Sequence, residues 1–351
     1  MTLSEVKALM LNIKKLLIAR KLFSEQLIVL LVSRFDEFLA PIIAAIFKNN
    51  QAWLRSTDKS LTYKDLLELG TFDSAFDAIV AKEVDILMHD SHVIQLKFLD
   101  EKLKLGLFEH FEEINCFLEV AERRNLFVHS GGKTTKQYIA NCKSLGISID
   151  SELKEGTYLP AADKYFRDAL RWTFELGLRI GQSTIRRLFP DALEYADQRL
   201  NELGIRLLES EDWELGELVF CYGECLPTNL RSSGEMYYYF VINRCIALKQ
   251  CGKNFSEVLK PIDWEAFHPK YHLAIAVLKE GLSKAEKLMT SAAVLEQVSE
   301  EDFRTWPLFR DFRKTDEFKR AYKVNFKKDY VLDYKKDVED QPSGSDQDTK
   351  L

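Results

Sequence analysis

The chain has 351 residues, 46% of them hydrophobic and 30% charged, a balance that excludes a largely disordered protein. Its formal net charge is −6, and its distribution shows one local basic island in place of the broad basic face usual in a protein that coats duplex nucleic acid. Only 15 Gly and 8 Pro punctuate it, which favours an all-α fold of long helices.

Apolar positions at Leu3, Val6, Leu9, Met10, Ile13, Leu16 and Leu17 predict a helix over 3–22. Ser24 is placed to cap a second helix that runs to about Phe47, with a kink at Pro41. The apolar run Leu27–Phe47 is interrupted by Arg34, Asp36 and Glu37, so it reads as a buried helix and not a membrane span. The charged opening Met1–Lys7 does not resemble a secretory leader. The six cysteines lie in apolar stretches, so a cytoplasmic protein with reduced thiols is expected.

Short segments around Trp53 and Tyr63–Leu67 precede a helix over about 73–88. His89 and His92, flanking Asp90-Ser91, read as caps or surface residues. A longer block from Val93 to His129 is broken near Gly106. After Gly131-Gly132, Tyr138–Ser148 predicts a short helix ending at Gly146, and Ile147–Ile149 could pair with Thr157–Leu159 as a hairpin. A helix then follows Pro160 and is stopped by Pro190. These features give a first helical domain over 1–190.

Charge divides at the same place. Residues 1–190 hold 26 Lys and Arg against 25 Asp and Glu, a net of +1, and 191–351 hold 23 against 30, a net of −7. A local basic island, Arg123, Arg124, Lys133, Lys136 and Lys143, contains no acidic residue before Ile149. Arg179 and Arg186, seven apart on one helix face, could extend it, with a solvated face as the default.

Beyond Ala196 the pattern becomes helical hairpins. Leu203-Gly204, Leu207, Trp213, Gly216, Phe220, Gly223 and Pro227 resemble a tetratricopeptide repeat, with weaker units near Asn243–Gly252 and Leu273–Ala285. A second domain over 191–330 is expected, closed by short terminal helices from Trp306. Residues 331–351 read as a disordered charged tail. Tyr237–Phe240 could stack bases but more commonly fills the groove between helices. Cys221/Cys225 and His268/His272 have a spacing that can hold zinc, yet packing is the simpler reading and no metal is expected. No phosphate-binding or dinucleotide glycine loop and no nucleophile elbow is present, so no cofactor is called for.

The one local pattern that suggests chemistry is Arg124-Asn125-Leu126-Phe127-Val128-His129, leading into Ser130-Gly131-Gly132. A guanidinium can clamp a phosphate with two donors, and an imidazole can carry a proton near neutral pH. On a helix, Asn125 and His129 share a face, whereas Arg124 lies roughly 140° from His129. Either the last turn unwinds or two copies of the motif converge across a two-fold axis.

Arginine, a polar residue, three others and histidine form the signature of the HEPN superfamily, and Arg123–Gly132 with Lys136 and Tyr138 resembles its abortive-infection type. The resemblance implies an all-helical, homodimeric, metal-independent endoribonuclease in antiviral defence or as a toxin. Carried over, Arg124 binds the phosphate, His129 transfers protons and Asn125 orients His129 or the RNA. Arg123, Lys133, Lys136 and Tyr138 are the accompanying candidates for RNA contact. The second domain would sense a trigger or bind a protein partner. The competing readings are a non-catalytic module that binds RNA or nucleotide, and plain structure, in which Arg124 pairs with a nearby acid while Gly131 caps the helix.

Overall fold

A computed structural model of the chain describes residues 3–54, 61–232 and 234–331. The expected tail over 331–351 therefore lies, apart from Val331, outside the described residues. The class is all-α, and the described residues hold a single isolated β-bridge. None of their helices is long and apolar enough to cross a membrane. Two compact units emerge. The first comprises the residues up to Leu200 with Leu226–Ser232, and the second Asn201–Cys225 with the residues after Ser232.

The first unit is built on α1 (Leu3–Asn49), one helix where two were expected. Ser24 lies inside it and Pro41 does not end it. Pro41 leaves it unbroken because one buried face continues past it: Ile28, Val32, Phe35, Leu39, Ile43 and Ile46 recur at helical spacing and all lie in the core. One serine inside a helix costs only a few tenths of a kcal/mol, roughly, so Ser24 does not by itself interrupt it.

Around α1 lie α2 (Tyr63–Leu69), α3 (Phe72–His89), α4 (His92–Leu103), α5 (Leu107–His110), α6 (Ile114–Ser130), α7 (Lys136–Ser144) and α8 (Asp163–Leu188). Their starts are chemically marked. Thr62 and Asp65 form a reciprocal capping box on α2, and the Thr71 hydroxyl accepts from the Ser74 N–H on α3. The main core joins α1 residues to Leu96, Leu99 and Leu103 of α4, Phe117 and Leu118 of α6, and Leu176 and Ile180 of α8.

The expected hairpin takes another partner. Thr157–Leu159 pairs with Gly132–Thr134: the Thr134 N–H donates to the Thr157 carbonyl at 2.9 Å and the Leu159 N–H to the Gly132 carbonyl at 2.9 Å. Ile147 is unavailable, because its N–H closes the end of α7 on the Cys142 carbonyl at 2.9 Å and its side chain is buried. Gly132, at φ +76°, permits the pairing, since a Cβ there would stand 2.7 Å from the Tyr158 ring.

Arg186 is fully buried and does not extend any basic surface. Its Nη1 donates to Asp197 Oδ1 at 2.6 Å and to the Leu230 carbonyl at 2.7 Å, and its Nη2 donates to Gln182 at 3.0 Å. Asp197 Oδ2 in turn accepts from the Ser232 N–H and hydroxyl at 2.8 and 2.6 Å. This network explains why 226–232 belongs to the first unit. Arg179 pairs with Glu175 at 2.7 Å over the Phe111 ring.

The second unit holds the later part of α9 (Leu193–Glu209) with α10 (Trp213–Glu224), α11 (Gly234–Gln250), α12 (Ser256–Leu259), α13 (Pro269–Leu278), α14 (Leu282–Met289), α15 (Ala292–Leu295), α16 (Glu300–Thr305) and α17 (Asp316–Phe326). Its glycines are packing positions. The Phe220 ring fills the space a Cβ on Gly204 would take, and the Phe240 ring lies 2.7 Å from where one on Gly223 would stand. Asn243 is a buried polar tie, donating to Asn201 and accepting from the Trp306 indole, each at 3.0 Å. Tyr238 packs among Tyr237, Trp264, Phe267 and Tyr271.

Two outcomes are expected in urea denaturation. Asp197→Ala strands the buried Arg186 charge and should cost about 3–5 kcal/mol; a cost below 1 would mean the network is dispensable. Gly204→Ala should cost about 1–3 kcal/mol by forcing Phe220 to move, and unchanged stability would refute close packing there.

Candidate functional site

The site is built around the end of α6. That helix stops where the sequence offers two glycines: Gly131 adopts the left-handed conformation at φ +55°, and the Gly132 N–H returns to the Leu126 carbonyl at 3.0 Å. Gly131 thus ends the helix as the plain structural reading expects.

The rotation of α6 about its axis is fixed by Glu119, which is only 9% exposed. Its Oε1 accepts from Arg123 Nε at 2.8 Å and from the Tyr138 hydroxyl at 2.6 Å, and its Oε2 accepts from the Tyr165 hydroxyl at 2.6 Å. Arg123 also donates to the Pro160 carbonyl at 3.3 Å and lies over the Tyr165 ring. Burial disfavours the Arg123 charge, but the adjacent Glu119 carboxylate raises its pKa above the ordinary arginine value. Burial, reinforced by the same carboxylate, pushes the Tyr138 and Tyr165 hydroxyls above the usual tyrosine range.

This corrects two expectations. Tyr138 is 2% exposed and cannot stack on a base, and Arg123 has its guanidinium occupied by Glu119 and Pro160. Both belong to the joint between α6, α7 and α8.

With Arg123 turned inward, the next residues fall on other faces. Arg124 reaches α1, where its Nη2 donates to Asp36 Oδ2 at 3.2 Å. The other oxygen, Oδ1, meets His92 Nε2 at 2.8 Å. Three helices thus converge on one carboxylate. The cluster is half-buried, with side-chain exposures of 23% for Arg124, 28% for Asp36 and 13% for His92. The His92 ring sits edge-on to Phe117, which packs on Phe35. The Arg124 Nε is sealed from solvent and finds no partner among the described residues.

Asn125 and His129 are exposed on their shared face, with half-exposed Val128 beside them. Lys133 is exposed next to the bridge that joins its backbone to Tyr158. Lys136 is exposed too, but Glu155 lies 3.8 Å from its ammonium, so the island is less basic than its own segment indicates.

Asp36 and His92 are the residues that sequence reasoning missed. His89 behaves as expected, its Nδ1 meeting the Asp85 carbonyl at 2.7 Å at the end of α3. His92 instead points inward from the first turn of α4. One signal was available: Val32, Asp36, Leu39 and Ile43 are spaced as a helix face, which puts a carboxylate among buried apolar residues.

The paired His and Cys candidates have other partners. His268 meets Gln297, His272 meets the Trp264 carbonyl at 2.9 Å, and the Cys221 thiol is raised by its hydrogen bond with Cys225 and by burial. Among the described residues no group of three or more His, Cys, Asp or Glu side chains is placed to hold a metal ion. No protein-family model, curated protein or solved structure matches the chain.

Tyr138→Phe should lower stability by about 1.5–3 kcal/mol, since the lost bond is made to a buried carboxylate. Thermal denaturation and an RNA-binding titration together check this. Unchanged stability with weakened RNA binding would return Tyr138 to the list of RNA contacts.

Proposed function

We propose that the first unit is an endoribonuclease of the HEPN type, in which Arg124 binds the scissile phosphate and His129 transfers a proton. One observation carries this reading. The Arg124 guanidinium is anchored by a single bond, from Nη2 to Asp36, and its side chain remains partly open to solvent. A guanidinium with donors to spare at a helix end is a receptor for an oxyanion. His129 lies five residues on, exposed and roughly 140° round the axis from Arg124; α6 stays helical through Ser130, so the reading takes the facing histidine from a second copy of the chain.

The chemistry follows from RNA itself. The ribose 2′-OH loses its proton and its oxygen attacks the adjacent phosphorus. The bond from phosphorus to the 5′-oxygen then breaks, that oxygen takes up a proton, and a 2′,3′-cyclic phosphate remains. Arg124 would bind the charge that grows on the phosphoryl oxygens. Asn125, on the His129 face, would orient the ring or the strand, and Lys133 and Lys136 would attract the backbone.

As implied by the HEPN resemblance, the active form would be a homodimer with the two motifs facing each other. The protein would act in the cytoplasm in antiviral defence or as a toxin, and the second unit would bind a protein partner or sense a trigger.

The test is incubation of the purified protein with single-stranded RNA in the presence of a chelator, beside Arg124→Ala and His129→Ala. Loss of a proton-transfer group should reduce cleavage about 100-fold or more, and the wild-type products should end in 2′,3′-cyclic phosphate. Equal degradation by all three proteins would reject the assignment. RNA retention without cleavage by any of them would favour the binding module.

A further inference from the structure

We infer that His92 is a second proton-transfer residue of the same site, with Asp36 as its positioning residue; this rests on the nuclease reading above. The reaction requires two proton movements, one from the 2′-OH and one to the departing 5′-oxygen. An imidazole near Arg124 in the folded chain is supplied by α4 and not by the motif. His92 and Arg124 come from positions far apart in sequence and are held on the two oxygens of one carboxylate, at 2.8 and 3.2 Å.

The geometry selects the tautomer. An ionised carboxylate only accepts, so the His92 Nε2 that faces Asp36 carries the proton and donates it. The opposite nitrogen, Nδ1, has no partner among the described residues. It can therefore accept a proton from the 2′-OH as the oxygen–phosphorus bond forms, or, once protonated, deliver one to the 5′-oxygen as that bond breaks. Phe117 packs edge-on against the ring and restricts its tilt. The ionisable groups bonded at this point are Asp36 from α1, Arg124 from α6 and His92 itself.

Comparison with the other shared carboxylates supports the assignment. Glu119 and Asp197 bind partners whose remaining donors are occupied by protein groups, as expected of joints that only hold helices together. The Asp36 cluster differs. It keeps an unpartnered His92 ring nitrogen and remains partly solvent-accessible, with side-chain exposures of 13% for His92, 28% for Asp36 and 23% for Arg124.

The experiment measures cleavage of a defined single-stranded RNA by full-length His92→Ala, His92→Gln and Asp36→Asn, beside Arg124→Ala and His129→Ala, with circular dichroism melts of each. His92→Ala should lose about 100-fold in kcat with KM within twofold of wild type. Added imidazole should restore activity at least tenfold to His92→Ala and none to Arg124→Ala. Asp36→Asn should lose roughly tenfold in kcat through misorientation of the ring. His92→Gln keeps a polar group beside Asp36, so it serves as the folded variant if His92→Ala melts early; it should be as inactive as His92→Ala. Near wild-type kcat in folded His92 variants, with Arg124→Ala and His129→Ala inactive, overturns this inference and leaves the nuclease reading standing. Unimpaired cleavage by Arg124→Ala and His129→Ala, or no cleavage by the wild type, overturns both.

Discussion

The buried carboxylate of Glu119 is the constraint on which the candidate site depends. Three donors from α6, α7 and α8 meet on it, and together they allow only one rotation of α6 about its axis. Placing Arg123 inward moves Arg124 about 100° round to α1 and leaves Asn125 and His129 on the open side. A carboxylate removed from water is costly unless each oxygen is paired, which is why so many donors gather there. The phosphate-binding candidate is therefore set by its neighbour Arg123, whose three guanidinium nitrogens are held by Glu119 and the Pro160 carbonyl.

Shared carboxylates recur as joints in the first unit. Asp197 ties α8 to α9 and to the segment around Leu230 through fully buried Arg186. Asp36 ties α1 to α4 and α6. The three are not equivalent. Where every donor is used, the joint has no capacity for a ligand. Around Asp36 the His92 ring and the Arg124 guanidinium are held by one bond each and the cluster is only half-buried. Partial exposure, with side chains 13–28% open to solvent, distinguishes the Asp36 cluster from the buried joint at Asp197.

The second unit is held together differently. Its helices approach through glycines that face aromatic rings, Gly204 with Phe220 and Gly223 with Phe240, and a buried Asn243 fixes the register among α9, α11 and the turn at Trp306. Close approach of this kind gives dense packing with few charges, which suits a unit whose acidic residues are left mainly for its surface.

Local signals determined much of this in the sequence. Helical class, the stop of α8 before Pro190 and the end of α6 at Gly131 all rest on contacts within a few residues. The positions of Arg124, Asn125 and His129 at a helix end were legible for the same reason. Tertiary structure alone decided which of them face inward. It joined two expected helices into one through Ser24. It redirected Thr157–Leu159 to Gly132–Thr134 and buried Arg123, Tyr138 and Arg186. It also joined Arg124 to Asp36 across 88 positions and Asp36 to His92 across 56. Helical periodicity reports which residues share a face but not what that face meets; the partner of a charge is chosen by packing, and packing is not written in any single segment.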